Sequence, residues 1–178
     1  FVGELGWEIH CKTSDMTAFY DSIIQAGVTP FGMYALNSLR LEKGYRTWKG
    51  DLSSDYSMLE GGLNRFIKWD KPDFPGKAAL ENERQQGSKK QFVTLVVDSD
   101  EYDPPYMSPV WLGNQLVGET TSGGMGYRSG KVIALGVVDT AASTPGTDLN
   151  IEIFGKKHKA IVQPDQPIWD PENERLRA

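Results

Sequence analysis

Apolar and polar positions alternate through residues 1–11: Leu5, Trp7, Ile9 and Cys11 fall on one side, Glu4, Gly6, Glu8 and His10 on the other. A period of two predicts a strand with one apolar and one polar face. The period then changes. Thr13 or Ser14 suits a helix N-cap, with Asp15 in the first turn; Met16, Phe19, Ile23 and Ile24 recur at helical spacing, and Gly27 supplies the stop. A second helix is expected from about Thr29-Pro30, through Met33, Leu36 and Leu39, to Gly44. Residues 46–64 are polar and turn-rich, a long irregular stretch of the kind that often carries function. Residues 74–80 lead into a short helix. Residues 82–90 are charged and free of apolar side chains, which marks a boundary between domains.

Beyond that boundary the pattern is strand-like. Residues 92–98 read as a strand, and 132–138 as a buried one. Residues 111–117 read as a hairpin whose Gly113-Asn114 suits a primed turn, and 149–162 as a second hairpin. Short strands at regular spacing imply a small antiparallel barrel or sandwich. The expected fold class is α+β, with one unit in residues 1–86 and the strand-rich one in 87–178. The polar, proline-bearing tail from residue 165 to 178 reads as extended.

Composition narrows the function classes. At 178 residues the chain is long enough for a real core in one or two domains, and 39% hydrophobic with 24% charged residues is ordinary for a soluble protein. A net charge of −5 argues against a nucleic-acid partner. The single cysteine, Cys11, excludes an intramolecular disulfide and fits a reducing compartment; on the apolar side of its strand it reads as core. Two histidines and one cysteine give no metal-ligand spacing. No long apolar run or signal peptide suggests a membrane. The chain opens without Met, inside an expected strand, so it is expected to lack an N-terminal portion of its parent, together with any catalytic group located there.

The candidate chemistry lies on the polar face of the first stretch. A carboxylate accepts two N–H bonds at once, which suits a flat heterocycle with an amino group beside a ring N–H, as in a pterin. The same pattern describes a solvated outer face, the commoner arrangement for glutamates. Arg40 falls near the apolar side of the second helix, where it lines a ligand channel or, more commonly, pairs with Glu42, Asp51 or another acid. Asp51 and Asp55 suit turns and caps. Trp69 stands among charges, either packed on a lysine stem or serving as an aromatic wall. Residues 122–131 fail as a nucleotide fingerprint: Ser129 replaces the third glycine, and Val132 follows Lys131 where a P-loop needs Ser or Thr. They read as a glycine-rich turn with rare backbone angles. Lys156-Lys157-His158-Lys159 reads as a solvated hairpin tip rather than an anion site.

Gly3-Glu4-Leu5-Gly6-Trp7-Glu8, then residues 31–45, then Lys49-Gly50-Asp51 together resemble the tetrahydrofolate-dependent aminomethyltransferase family. That family includes the glycine-cleavage T-protein and the C-terminal halves of dimethylglycine and sarcosine dehydrogenases. The resemblance covers nearly the whole chain. It implies that residues 1–86 are the C-terminal part of a folate-binding domain and 87–178 the family's terminal barrel. It further implies that Glu8 holds the pterin, that Ile9 and His10 line the same place, and that Phe1 and Trp69 contact the folate. Glu4 and Arg40 complete the expected cofactor-binding set. Phe1 stands where a Tyr is expected, and Leu36 where T-proteins carry an arginine. The wording of the second helix is closer to the dehydrogenases, which implies FAD on an upstream domain and an N-methyl amine or its iminium as substrate. Tetrahydrofolate would leave as 5,10-methylenetetrahydrofolate. A free-standing T-protein-like enzyme and a non-catalytic folate-binding relative are the alternatives. The implied location is the cytoplasm, or the mitochondrial matrix in a eukaryote.

Overall fold

The structure is a computed structural model and describes residues 1–177. Its architecture is the expected α+β: a helical and irregular first half followed by a closed antiparallel barrel. The helices are α1 (Met16–Gln25), α2 (Met33–Glu42) and α3 (Lys77–Gln86). The strands are β1 (Lys90–Val97), β2 (Pro109–Leu112), β3 (Gln115–Gly126), β4 (Lys131–Asp139), β5 (Asp148–Ile153) and β6 (Lys156–Val162). They close in the order β1-β4-β3-β2-β5-β6. Closure removes free sheet edges.

The unbroken apolar run of β4 has a simple explanation. Ala134 and Val138 join the barrel interior with Leu95, Val110, Leu149 and Ile151, whereas Ile133, Leu135 and Val137 form a second cluster with Leu41 of α2 and Phe92. A strand covered on both faces has no polar side to show. α2 ends at Gly44, which takes a φ of +64°; the Gly44 N–H donates to the Leu41 carbonyl and the Tyr45 N–H to that of Arg40. These are the two bonds of a Schellman stop.

Several local expectations differ from the fold. Residues 1–11 form no strand: beyond one bond from the Leu5 N–H to the Arg175 carbonyl at 2.9 Å, no ladder forms. The alternation is real, but none of the described strands runs beside it, and an extended segment needs a partner for its backbone groups. Cys11 is accordingly exposed, not core. α2 begins at Met33, three residues after Pro30. The glycine-rich segment divides: residues 127–130 form the expected turn, with Gly130 at a φ of +67°, but residues 122–126 are the end of β3, where Gly123 and Gly126 have ordinary φ values. A Cβ on Gly123 would stand 2.4 Å from the Pro104 carbonyl oxygen, and one on Gly126 would stand 2.8 Å from Glu42 Cγ. Close approach, not rare angles, requires glycine there. The basic cluster lies along β6; the hairpin tip is Phe154-Gly155. The tail folds back in turns onto the end of α2. Ala178, its last residue, lies outside the described residues.

Candidate functional site

The run Leu39-Arg40-Leu41-Glu42-Lys43-Gly44 puts charges on every side of a helix end, which is tolerable in a buried element only if something charged covers it. Glu42 has no exposure. Its carboxylate accepts from Arg128 Nε at 2.6 Å and from the Ser129 N–H at 2.7 Å, while its carbonyl accepts from the N–H groups of Ile168 and Trp169. Buried Lys43 donates to the Asp170 carbonyl at 2.8 Å and to its carboxylate at 3.3 Å. Burial pushes the Asp170 carboxyl up, but the N–H groups of Glu174 and Arg175 and the Lys43 ammonium outweigh it and hold it below the usual carboxylate range. The tail and the turn after β3 are therefore fastened to the same helix end.

That junction also grips the first residues. Arg128 donates to Glu4 Oε1 at 2.9 Å and to the Val2 carbonyl at 3.4 Å. Gly3 lies so close to Lys43 that an added Cβ would stand 2.3 Å from its Cγ. Phe1 stacks on Tyr45 with ring centroids 5.7 Å apart.

A second polar cluster centres on Arg40, two residues before Glu42 on α2. Arg40 pairs with Asp51 at 2.8 Å, both side chains almost without exposure. Asp51 also accepts from the Thr47 N–H and hydroxyl, from Thr121 at 2.6 Å and from Ser122 at 2.7 Å. Burial lowers the Arg40 pKa, and the Asp51 carboxylate opposes that shift. The ion-pair role is thus the one found for Arg40. Asp51 is much more than a turn former: it ties the loop after α2 to both the helix and β3.

Of the expected site residues, Glu8, Ile9 and His10 are exposed and continue the gripped segment outward. Glu8 has no hydrogen-bond partner among the described residues, so its carboxylate is an open acceptor. Glu4 is engaged by Arg128, Phe1 by Tyr45 and Arg40 by Asp51. Trp69 is half-buried beneath Arg84, whose guanidinium carbon lies 4.8 Å from the ring centroid. The ≈ 350 Å³ cleft beside it is lined by Leu59, Asn64 and Gln91 and not by Glu8. The structure therefore brings Phe1, Glu4 and the end of α2 together and leaves Trp69 in a separate cleft. A larger cleft of ≈ 620 Å³ opens between α2, the 103–106 loop and β3. Sequence reasoning missed Lys43, Arg128 and Asp170, and weighed Glu42 only as a partner for Arg40; the charges on every side of the helix end were the signal available. Among the described residues no cluster of His, Cys, Asp and Glu suits a metal, and no helix is long and apolar enough to cross a membrane.

Comparison with known proteins completes the picture. Residues 1–71 match the family model described as GCVT N-terminal domain, and residues 90–170 that described as glycine cleavage T-protein C-terminal barrel domain. The mitochondrial dimethylglycine dehydrogenase of Rattus norvegicus is 38% identical over 183 residues, covering 99% of this chain and 21% of its own length. An aminomethyltransferase of Thermosynechococcus vestitus is 36% identical over 164 residues, 92% of this chain and 44% of the relative. The crystal structure of glycine cleavage system aminomethyltransferase T from Bartonella henselae superposes with a TM-score of 0.80 at 24% identity, over 89% of this chain and 44% of that one, a likeness of fold. The chain thus spans about a fifth of the dehydrogenase.

Proposed function

The chain belongs to the glycine cleavage T-protein family, and from that premise we propose that it forms the tetrahydrofolate-binding, one-carbon-transferring portion of a dimethylglycine- or sarcosine-dehydrogenase-like enzyme. The observation that carries the proposal is the identity running over 99% of the chain with a dimethylglycine dehydrogenase. Leu36, in place of an arginine, weighs against a free-standing T-protein.

Tetrahydrofolate, when bound, supplies the amines that take up the one-carbon unit. The free Glu8 carboxylate fits the amino and N–H edge of the pterin, with Ile9 and His10 beside it. Glu4 and Arg40, already bonded within the chain, act as braces: Glu4 ties the segment to Arg128, and Arg40 ties the channel wall to Asp51. Phe1, stacked on Tyr45, flanks the site with an aromatic face, whereas Trp69 stands in its separate cleft beneath Arg84. The task of these residues is to position the acceptor and exclude water, so that the one-carbon unit is not lost as free formaldehyde. An FAD domain elsewhere in such an enzyme would oxidise an N-methyl amine to the iminium. The principal partner is the remainder of the same polypeptide, in keeping with exposed Leu5, Trp7, Ile9, Phe31 and Met33. Residues 1–86 and 87–178 act as the end of the folate domain and the terminal barrel, in the cytoplasm or the mitochondrial matrix.

Titration of tetrahydrofolate into the complete protein, with Glu8→Gln beside it, tests the assignment. Loss of a charge-assisted hydrogen bond, about 1.5–3 kcal/mol, weakens binding about 10- to 100-fold. Equal affinity in the two proteins would sink it.

A further inference from the structure

Glu8 lies on a segment with few holds on the rest of the chain. Residues 6–10 form no backbone hydrogen bond among the described residues. Beyond them, α1 buries none of its side chains and offers no anchor. The holds all lie before Glu8, in residues 1–5, and the charged one comes from Arg128. An extended chain rises about 3.3 Å per residue, so Glu4 stands about 13 Å along the backbone from Glu8.

Arg128 starts from a turn pressed onto α2. A Cβ on Gly126 would stand 2.8 Å from Glu42 Cγ, and the Gly130 N–H donates to the Gly126 carbonyl at 2.8 Å. The guanidinium then divides its donors between two tasks. Nε donates to buried Glu42 at 2.6 Å and Nη2 to the Leu39 carbonyl at 3.2 Å, which fixes its plane on the helix end. Trp169 of the tail lies against it, with its ring centroid 5.4 Å from the guanidinium carbon. The remaining donors face the first residues: Nη1 reaches Glu4 Oε1 at 2.9 Å and Nη2 the Val2 carbonyl at 3.4 Å. An ammonium has a single nitrogen, so a lysine could pair with Glu42 or with Glu4 but could not hold both in this plane.

The Glu4 side chain is 40% exposed, and a pair so placed contributes little to stability. What it does restrict is the range of conformations open to the residues that follow. A ligand that takes one conformation of a segment loses affinity as that conformation is depopulated. We infer that Arg128 is a positioning residue for tetrahydrofolate: acting through Glu4, its fork sets where the Glu8 carboxylate stands, on the premise that Glu8 holds the pterin. The barrel thereby contributes to pterin affinity without touching the ligand.

The test uses the complete protein, with calorimetric titration of tetrahydrofolate, a thermal melt, and hydrogen exchange of the peptide covering residues 1–8. Arg128→Lys keeps the charge beside Glu42, loses the fork, and weakens binding about ten-fold. Glu4→Ala weakens it by a similar factor, with the melting temperature unchanged. Glu4→Gln keeps an acceptor oxygen and recovers most of the loss. Both Arg128→Lys and Glu4→Ala speed exchange in residues 1–8, whereas Glu8→Gln weakens binding and leaves exchange in the free protein as it was. The double variant Glu4→Ala, Arg128→Lys binds no worse than either single one, because the two residues act as one hold. Additive losses would place Glu4 on the ligand itself and overturn the inference. So would Arg128→Lys or Glu4→Ala binding tetrahydrofolate as tightly as the unaltered protein while Glu8→Gln binds it weakly. Full affinity in Glu8→Gln, with the loss in Arg128→Lys intact, would instead remove the pterin from Glu8 and leave the hold on the segment standing.

Discussion

In the barrel, Leu95, Val110, Ile133, Leu135 and Ile151 have no exposure at all. In the first thirty-odd residues, Trp7 is 81% exposed, Met33 68% and Phe31 59%, and α1 buries none of its side chains. Both regions carry apolar periodicity of similar clarity. Periodicity states which face favours burial, not whether a partner is within reach. A closed barrel supplies its own partner, since the far wall covers the near one. An amphipathic segment has none unless another element is brought to it. Between the two stands the end of α2, whose charged residues fasten the first residues, the turn after β3 and the tail at one place.

The contrast is sharpest if that junction and the barrel wall are broken separately. Within the 178-residue chain, Asp51→Ala has the largest expected effect. It strands the Arg40 guanidinium in a buried site, at a cost of about 3–5 kcal/mol, measured by urea denaturation. The double variant Arg40→Met, Asp51→Leu recovers most of that loss, because the penalty belongs to the unpaired charge. A double variant as unstable as Asp51→Ala would assign the cost to the Thr47, Thr121 and Ser122 bonds instead. Next comes Leu95→Ala, which opens a cavity at a fully buried position and costs about 2–5 kcal/mol.

What was legible in the sequence follows the same division. Most of the barrel could be read because its strands, β3 beyond residue 117 excepted, carry their own signatures: Gly113 at the first hairpin, the continuous run in β4, and alternation in β5. α1 also formed where spacing placed it, whereas α3 runs on to Gln86, into the charged stretch read as a boundary. The strand expected at residues 1–11 did not form, because strand pairing is non-local and the described residues provide no neighbour. The glycine-rich end of β3 was misread because glycine serves both left-handed turns and close approach, and only the position of Pro104 and Glu42 decides between them. At the candidate site, Arg40 and its possible partner Asp51 were legible from one charged residue on an apolar face. Lys43, Arg128 and Asp170 were not, since they meet only after the tail returns across the helix.

A smaller effect comes from acid. Asp170 has its carboxyl depressed below the ordinary 3.8 in the fold, so its contribution to stability is fully present above that value. It is lost as pH falls through the lower folded value, when protonation weakens the bonds from Lys43 and from the Glu174 and Arg175 N–H groups. The tail should then detach from α2 below the usual carboxylate range. Trp169, adjacent to Asp170 and 5.4 Å from the Arg128 guanidinium, reports that step by fluorescence. In Asp170→Asn the acid transition should vanish; a transition that persists unchanged belongs to another group.

The smallest expected effect bears most directly on the contrast. Trp7→Ser in the 178-residue chain removes a large apolar side chain that is already 81% exposed, so stability should change by no more than about 0.5 kcal/mol. Leu95→Ala removes less apolar area and costs several times more, because its cavity is enclosed. If the exposed face of residues 1–34 is covered by the remainder of a dehydrogenase-like polypeptide, the same Trp7→Ser change in that longer protein becomes a burial change. At about 25 cal/mol per Å² over a tryptophan's 150–250 Å² it then costs roughly 4–6 kcal/mol at full burial. A small cost in both contexts means that residues 1–11 stay open to solvent, and Glu8 then has no enclosed site in which to hold a pterin. A small cost in the short chain and a large one in the long chain makes the first stretch half of an interface whose other half lies in the rest of the polypeptide.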